Sequence, residues 1–239
     1  MKKSVFLFSA LLTILSITVS AQSWGNGVSG EGAVVKQEIS LDKFDGFDLG
    51  FAGNVIVTPG PVQKVVVEGQ QNIIDLIKRD VKDGMWRIGY SKNVKDSKEV
   101  TVYITIPTVK WVALTGSGSI RSTDRFSGLN KLDIAVSGSG DIMFDATAND
   151  INLHLSGSGD IKVMGTTNTL DIAISGSGDV SAAALKSSNC QVSISGSGDA
   201  DVQVYGDLET SISGSGDVRY KGEANVTARI SGSGEVSKM

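Results

Sequence analysis

The motif Ser-Gly-Ser-Gly-Asp, with small variations, begins at Thr115, Ser137, Ser156, Ser175, Ser195, Ser213 and Ser231, so successive copies are 22, 19, 19, 20, 18 and 18 residues apart. A beat this even excludes a low-complexity linker and predicts a repeat architecture in which every copy is one unit of a stack. Between copies, apolar and polar residues alternate, as in Leu170-Asp171-Ile172-Ala173-Ile174 and Ile161-Lys162-Val163. That period of two marks strands with one buried face. The phase turns Leu132, Ile134, Val136, Leu153, Leu155, Val192 and Ile194 inward, together with Ala224, Val226, Ala228 and Ile230. Asp133, Asn152, Asp171, Gln191 and Glu209 are expected to point outward.

A unit of this size cannot bury its apolar side alone, and stacking one unit on the next solves that problem. At about 3.3 Å per residue each unit has a contour of roughly 60 Å, enough for one circuit of a narrow coil rising about 4.8 Å. The fold class is therefore all-β: a single-chain β-helix, or solenoid, with coils of roughly 18–20 residues over residues 113–239. Each coil is read as two short strands flanking one tight corner. A hairpin meander is the alternative, but equal spacing favours parallel stacking. Glycine reaches positive φ without steric cost, so both glycines of each corner are expected there.

The first half of the chain is also β but less regular. Residues 1–21 read as a signal peptide: Lys2 and Lys3, an apolar run from Val5 to Val19, and small residues up to Ala21. No cysteine stands at the cleavage site for a lipid anchor, and no later apolar run approaches the roughly 20 residues of a membrane helix. The expectation is an exported chain, periplasmic or at the cell surface, without membrane insertion of its mature part. Residues 22–37, with Gly25, Gly27, Gly30 and Gly32, read as a flexible leader. Residues 38–112 carry strands around Phe44–Leu49, Asn54–Thr58, Lys64–Glu68 and Val100–Ile106. Asp83-Gly84 is a two-residue hairpin signal, and Asn72 is placed to cap a short helical turn ending at Leu76. No linker separates the halves, so one continuous body is expected.

Composition narrows function mainly by exclusion. The net charge of −4, with no basic block, argues against a nucleic-acid or anionic-membrane partner. Cys190 is the only cysteine, so no internal disulfide is available, and its phase places it in the core. His154 is the only histidine and reads as a surface residue. Every SGSG turn opens into a strand rather than a helix, and no Lys-Ser/Thr follows, which excludes a phosphate loop. No nucleophile, base and orienting group converge, so neither catalysis nor a cofactor is expected. Trp86 and Trp111 are read as core or cap residues, although an exposed pair there would be the best glycan-stacking candidate.

Asp141, Asp160, Asp179, Asp199 and Asp217, followed by Glu235, take the same place in successive coils. At a separation of about 4.8 Å neighbouring carboxylates repel by about 0.9 kcal/mol in water-like surroundings. Local hydrogen bonds from corner N–H groups, as in an Asx turn, are expected to offset this, with a bound cation as the alternative. At the C-terminal edge, Lys221, Arg229, Glu235 and Lys238 are expected to discourage uncontrolled stacking, with end-to-end dimerisation as the other reading.

With its Ser-Gly-Ser-Gly-Asp turns, the Phe44-x-Gly-Phe47 opening, Val65-Val-Val-Glu-Gly69, Asp83-Gly84 and a strand ending at Pro107, the chain resembles the family called putative auto-transporter adhesin, head GIN domain, from about residue 38 to 236. The resemblance implies an exported all-β protein with a β-helical C-terminal part and no established enzyme activity. The function expected is a non-enzymatic, adhesin-like interaction module binding an extracellular glycan or an envelope protein. A purely structural envelope protein is the alternative, and a polysaccharide-processing enzyme a lesser one.

Overall fold

The computed structural model describes residues 27–239. The expected signal peptide and Trp24 lie outside the described residues. The chain is a β-solenoid whose windings stack in parallel register. Ser137, Ser156, Ser175, Ser195, Ser213 and Ser231 pair one above another, and so do the glycines that follow them. The strands are longer than expected. Asp141–Gly157, Ile161–Gly176 and Val180–Gly196 each run from one corner to the next, interrupted only by the corner itself. A second bend lies inside each strand where the alternation slips, as at Asn149-Asp150 and Asn168-Thr169. Asparagine suits it: the amide of Asn149 donates to Asn130 at 3.2 Å and that of Asn168 to Asn149 at 3.4 Å.

Inside, the aliphatic columns are continuous. Leu132, Ile151, Leu170, Cys190 and Leu208 form one column; Val136, Leu155, Ile174, Ile194 and Ile212 form another, and all are buried in a single core. Each such side chain contributes roughly 1.5–3 kcal/mol of burial, which replaces the disulfides this chain lacks. Phe126 and Phe144 stack within the same interior at 5.4 Å between centroids.

Close stacking leaves no room for a β-carbon at either glycine of these corners, and the first carries a further constraint. The first, in the copies from Gly138 to Gly232, has φ between 130° and 145°, where L side chains are strained. The second, such as Gly159 or Gly178, has no positive φ. It lies flat on its counterpart below, and a β-carbon there would sit closer than 3.0 Å to that residue's carbonyl oxygen. The expectation of positive φ at both therefore holds only for the first, because close stacking and not chain reversal selects the second.

The stack does not follow chain order at its base. The winding formed by Gly46–Leu49 and Asn54–Pro59 is sandwiched between Met85–Ile88 with Thr101–Ile106 on one side and Trp111–Leu114 with Ser119–Ser122 on the other. Beyond it, Lys64–Gln70 turns antiparallel to Thr101–Ile106, and Val34–Ile39 antiparallel to Lys64–Gln70. The hairpin at Asp83-Gly84 forms, with φ of 52° and 74° and pairing of Lys82 with Met85. The helix Gln71–Ile74 buries Ile73 and Ile74 completely.

Asn72 does not cap that helix. Its amide instead donates to Ser29 O at 2.8 Å and its Oδ1 accepts from Glu31 N at 3.0 Å. Val28–Ser29 also pairs with Val94–Asp96, and Gln70 donates to Gly32 O at 3.3 Å. The leader expected over 22–37 is thus fastened from Gly27 onward, because side-chain amides from elsewhere satisfy its backbone. The other end of the chain departs from expectation as well. Ala224 is half-buried, while Val226, Ala228 and Ile230 keep the inward phase yet are exposed, since no further described winding covers them.

At the antiparallel end, Tyr103 OH donates to Glu68 at 2.7 Å and Lys36 pairs with the same oxygen at 3.2 Å. The tyrosine hydrogen bond, then the lysine, hold the Glu68 carboxyl below its ordinary value. Stability from this group is therefore present above the ordinary glutamate range and lost as pH falls through the lowered value. Glu68→Gln should flatten the decline in unfolding midpoint between about pH 5 and pH 3; an unchanged profile contradicts this. In urea unfolding, Gly176→Ala and Gly178→Ala should each lose about 3 kcal/mol or more, and Ser177→Ala should stay within about 0.5 kcal/mol of the parent.

Candidate functional site

The face of the solenoid that follows the Gly corners carries two adjacent columns. Directly after each corner stand Asp141, Asp160, Asp179, Asp199 and Asp217; two residues further on, in the same outward phase, stand Arg121, Met143, Lys162, Ser181, Asp201 and Arg219, stacked in register. All of these but Asp217 line an open groove of about 550 Å³ that crosses several windings.

The acids are held by bonds between windings. The N–H of Asp160 donates to the Asp141 carboxylate at 3.2 Å, Asp179 to Asp160 at 3.1 Å, Asp199 to Asp179 at 2.8 Å, Asp217 to Asp199 at 2.9 Å and Glu235 to Asp217 at 2.8 Å. The expected local Asx-type bonding is thus replaced by bonding to the next winding. At the corner the backbone leaves the strand direction, and from Asp160 onward the N–H of each acid takes the carboxylate beneath it as its acceptor, whereas Asp141 N–H donates to Gly118 O at 3.1 Å. Each bond uses Oδ1, so the ladder engages one oxygen of each carboxylate with the backbone. Among the described residues, no group of three or more His, Cys, Asp or Glu side chains is placed to hold a metal ion.

The second column supplies cations. Arg219 pairs with Asp201 at 2.7 Å, and that hydrogen bond raises the guanidinium above its ordinary value. Arg121 and Lys162 enter no ion pair among the described residues. The groove therefore offers carboxylate acceptors beside charged donors, which together match a ligand whose groups both donate and accept, as hydroxyls do. Sequence reasoning found the acids but missed Arg121, Lys162 and Arg219. The signal was available in the strand phase, since each lies on the outward position of the strand that leaves a corner.

Other residues singled out in the sequence fall elsewhere. His154 is exposed on the strand that enters a corner, between Ala135 and Ala173. Cys190 is buried, and burial followed by the charge of Asp171 pushes its thiol far up, away from the reactive thiolate. Trp86 is fully buried with its indole N–H on Lys78 O at 2.9 Å, whereas Trp111 is 38% exposed, so the two form no exposed pair. A second concavity of about 740 Å³ lies beside Phe51 and Tyr90, which stack at 4.3 Å between centroids. Burial pushes the Tyr90 phenol up to about 12. This concavity is walled largely by the single segment 91–97 and does not follow the repeat.

A parallel-stacked solenoid with a charged groove along one face defines a repeat protein with an extended surface. The chain belongs to the family described as putative auto-transporter adhesin, head GIN domain, whose model matches residues 43–224. Its fold is shared by a putative adhesin from Bacteroides fragilis, with TM-score 0.80 and 24% identity over 89% of this chain and 100% of that one. It is shared too by a putative lipid binding protein from Parabacteroides distasonis, with TM-score 0.73 and 20% identity over 90% and 100%. A putative adhesin from Parabacteroides distasonis has TM-score 0.70 and 24% identity over 90% and 100%. No curated protein matches the chain. An adhesin-type family fits a cell-surface or exported location, and no helix among the described residues is long and apolar enough to cross a membrane.

If the acid column serves the backbone, the oxygen and not the charge is what matters. Asp179→Asn retains an acceptor for the Asp199 N–H and should leave stability within about 1 kcal/mol of the parent. Asp179→Ala strands that N–H and should cost about 1–3 kcal/mol. Equal losses in the two variants, measured by urea unfolding, would contradict this account.

Proposed function

We propose that this protein is an exported, non-enzymatic, adhesin-like module that binds a glycan at the cell envelope through the groove beside the aspartate column. The observation that carries the reading is the juxtaposition, across several windings, of a carboxylate column with Arg121 and Lys162, two cations that enter no ion pair among the described residues. Sugar hydroxyls donate to carboxylates and accept from guanidinium and ammonium groups, so such a groove meets both halves of their hydrogen-bonding capacity. A groove that repeats with the windings, about every 4.8 Å, also suits a linear polymer better than a compact solute. Family membership supports an adhesive role, and the reading assigns no residue to catalysis.

Glycan-array screening followed by calorimetry tests this directly. The parent should bind at least one polysaccharide saturably, and Arg121→Ala with Lys162→Ala should weaken that binding tenfold or more, since each charged hydrogen bond is worth roughly 1.5–3 kcal/mol. Binding that ignores both substitutions removes the groove from the site. Capture of an envelope protein in place of any glycan assigns the surface to a protein ligand, and turnover of the polymer makes the protein an enzyme.

A further inference from the structure

The two ends of the stack are finished differently. One is wrapped by a helix with two fully buried isoleucines and by antiparallel strands, the outermost of which, Val34–Ile39, pairs on one side only among the described residues and leaves Val34 and Val35 exposed. At the other, all residues of the strand Asn225–Gly232 are exposed. Val226 is 38% and Ile230 45% exposed, although they stack in register on Leu208 and Ile212, which are 0% and 2% exposed. The aliphatic columns therefore run out into solvent.

The backbone at this end is open too. Asn225 N and Ser233 N donate to Gly206 and Gly214 of the winding below. In a parallel strand the N–H and C=O of alternate residues point to opposite sides, so those of Val226, Ala228 and Ile230 face away from the stack. An apolar strand with a free edge is a template for pairing with another strand.

We propose that this end binds a second copy of the chain, with Asn225–Gly232 pairing antiparallel to its own counterpart about a twofold axis at Ala228. The strand is chemically close to a palindrome: Asn225-Val-Thr-Ala-Arg-Ile-Ser231 reads polar, aliphatic, polar, alanine, polar, aliphatic, polar in both directions. Pairing about Ala228 sets Val226 opposite Ile230 of the second copy and Ala228 opposite itself. These are the residues whose backbone groups are free, so one symmetry operation closes the hydrogen-bonded edge and the aliphatic columns together.

Charge completes the match. Arg229 comes to lie opposite the small Thr227 of the second copy, and Thr227 stacks on Glu209 in the adjoining strand. Neither Arg229 nor Glu209 enters an ion pair within the described chain, so each is available to the other copy. Lys238 is engaged by Glu223 at 3.2 Å and does not oppose the approach. The edge charges expected to discourage stacking thus act as a register lock, which admits the twofold partner and leaves a shifted strand with unmatched charge.

Sedimentation equilibrium of the purified protein should show a reversible dimer. Arg229→Glu and Glu209→Arg should each weaken it tenfold or more, and the double variant should recover the parent affinity. Ala228→Pro deletes only an N–H that faces the open edge, so circular dichroism should keep the β signature while the dimer is lost. A protein that stays monomeric at every concentration overturns the proposal. So does a dimer indifferent to Ala228→Pro and to the charge exchange, or single-variant losses that the double variant fails to repair.

Discussion

At the corners beginning at Ser156, Ser175 and Ser195 the carbonyl of one winding's first glycine accepts N–H groups from the serine and second glycine of the next, as when Ser177 N and Gly178 N meet Gly157 O at 3.0 and 3.2 Å. Backbone rests on backbone there, with no volume between successive windings for a β-carbon. That contact sets the vertical spacing. The strand ladders and the aliphatic columns both need that same spacing, so all three are satisfied by one repeat height. A larger residue at a corner would lift the winding above it and would loosen the ladder and the core at the same place.

The same constraint generates the surface chemistry. A chain that turns so sharply leaves one N–H outside the ladder at each corner from Asp160 onward, and the aspartate of the winding below supplies its acceptor. The acids are thus positioned by a structural need, and the groove beside them inherits a column of carboxylates at a fixed height interval. What distinguishes one level of the groove from another is the second column, where Arg121, Met143, Lys162, Ser181, Asp201 and Arg219 differ from winding to winding. Repetition builds the scaffold, and the residues that break the repetition give each level of the groove its own chemistry. The two ends of the described stack differ in kind: antiparallel strands wrap one, and the strand Asn225–Gly232 lies exposed at the other.

Much of this was legible before any coordinates. The period predicted register pairing of the corners, alternation assigned Leu153 and Val192 to the interior, and Asp83-Gly84 marked a hairpin by a rule that depends only on the turn residues themselves. Failures occurred where a neighbour distant in sequence supplies the missing partner. Asn72 has the side chain of a helix cap, but the backbone of Ser29 and Glu31 competes for it and wins. The leader's glycines read as freedom, and that freedom is removed by Gln70, Asn72 and the strand at Val94–Asp96.

The sequence by itself determined the period, the phase of each strand and the position of every regular corner, because those depend on local sterics and on a two-residue alternation that any stretch of chain displays. Only the tertiary structure decided that the winding at Gly46–Pro59 lies between two later ones, that the acids bond upward rather than locally, and that Val226 and Ile230 face solvent. Each of these turns on which segment lies above or below another. Stacking order is a property of the assembled column, and no single winding contains it.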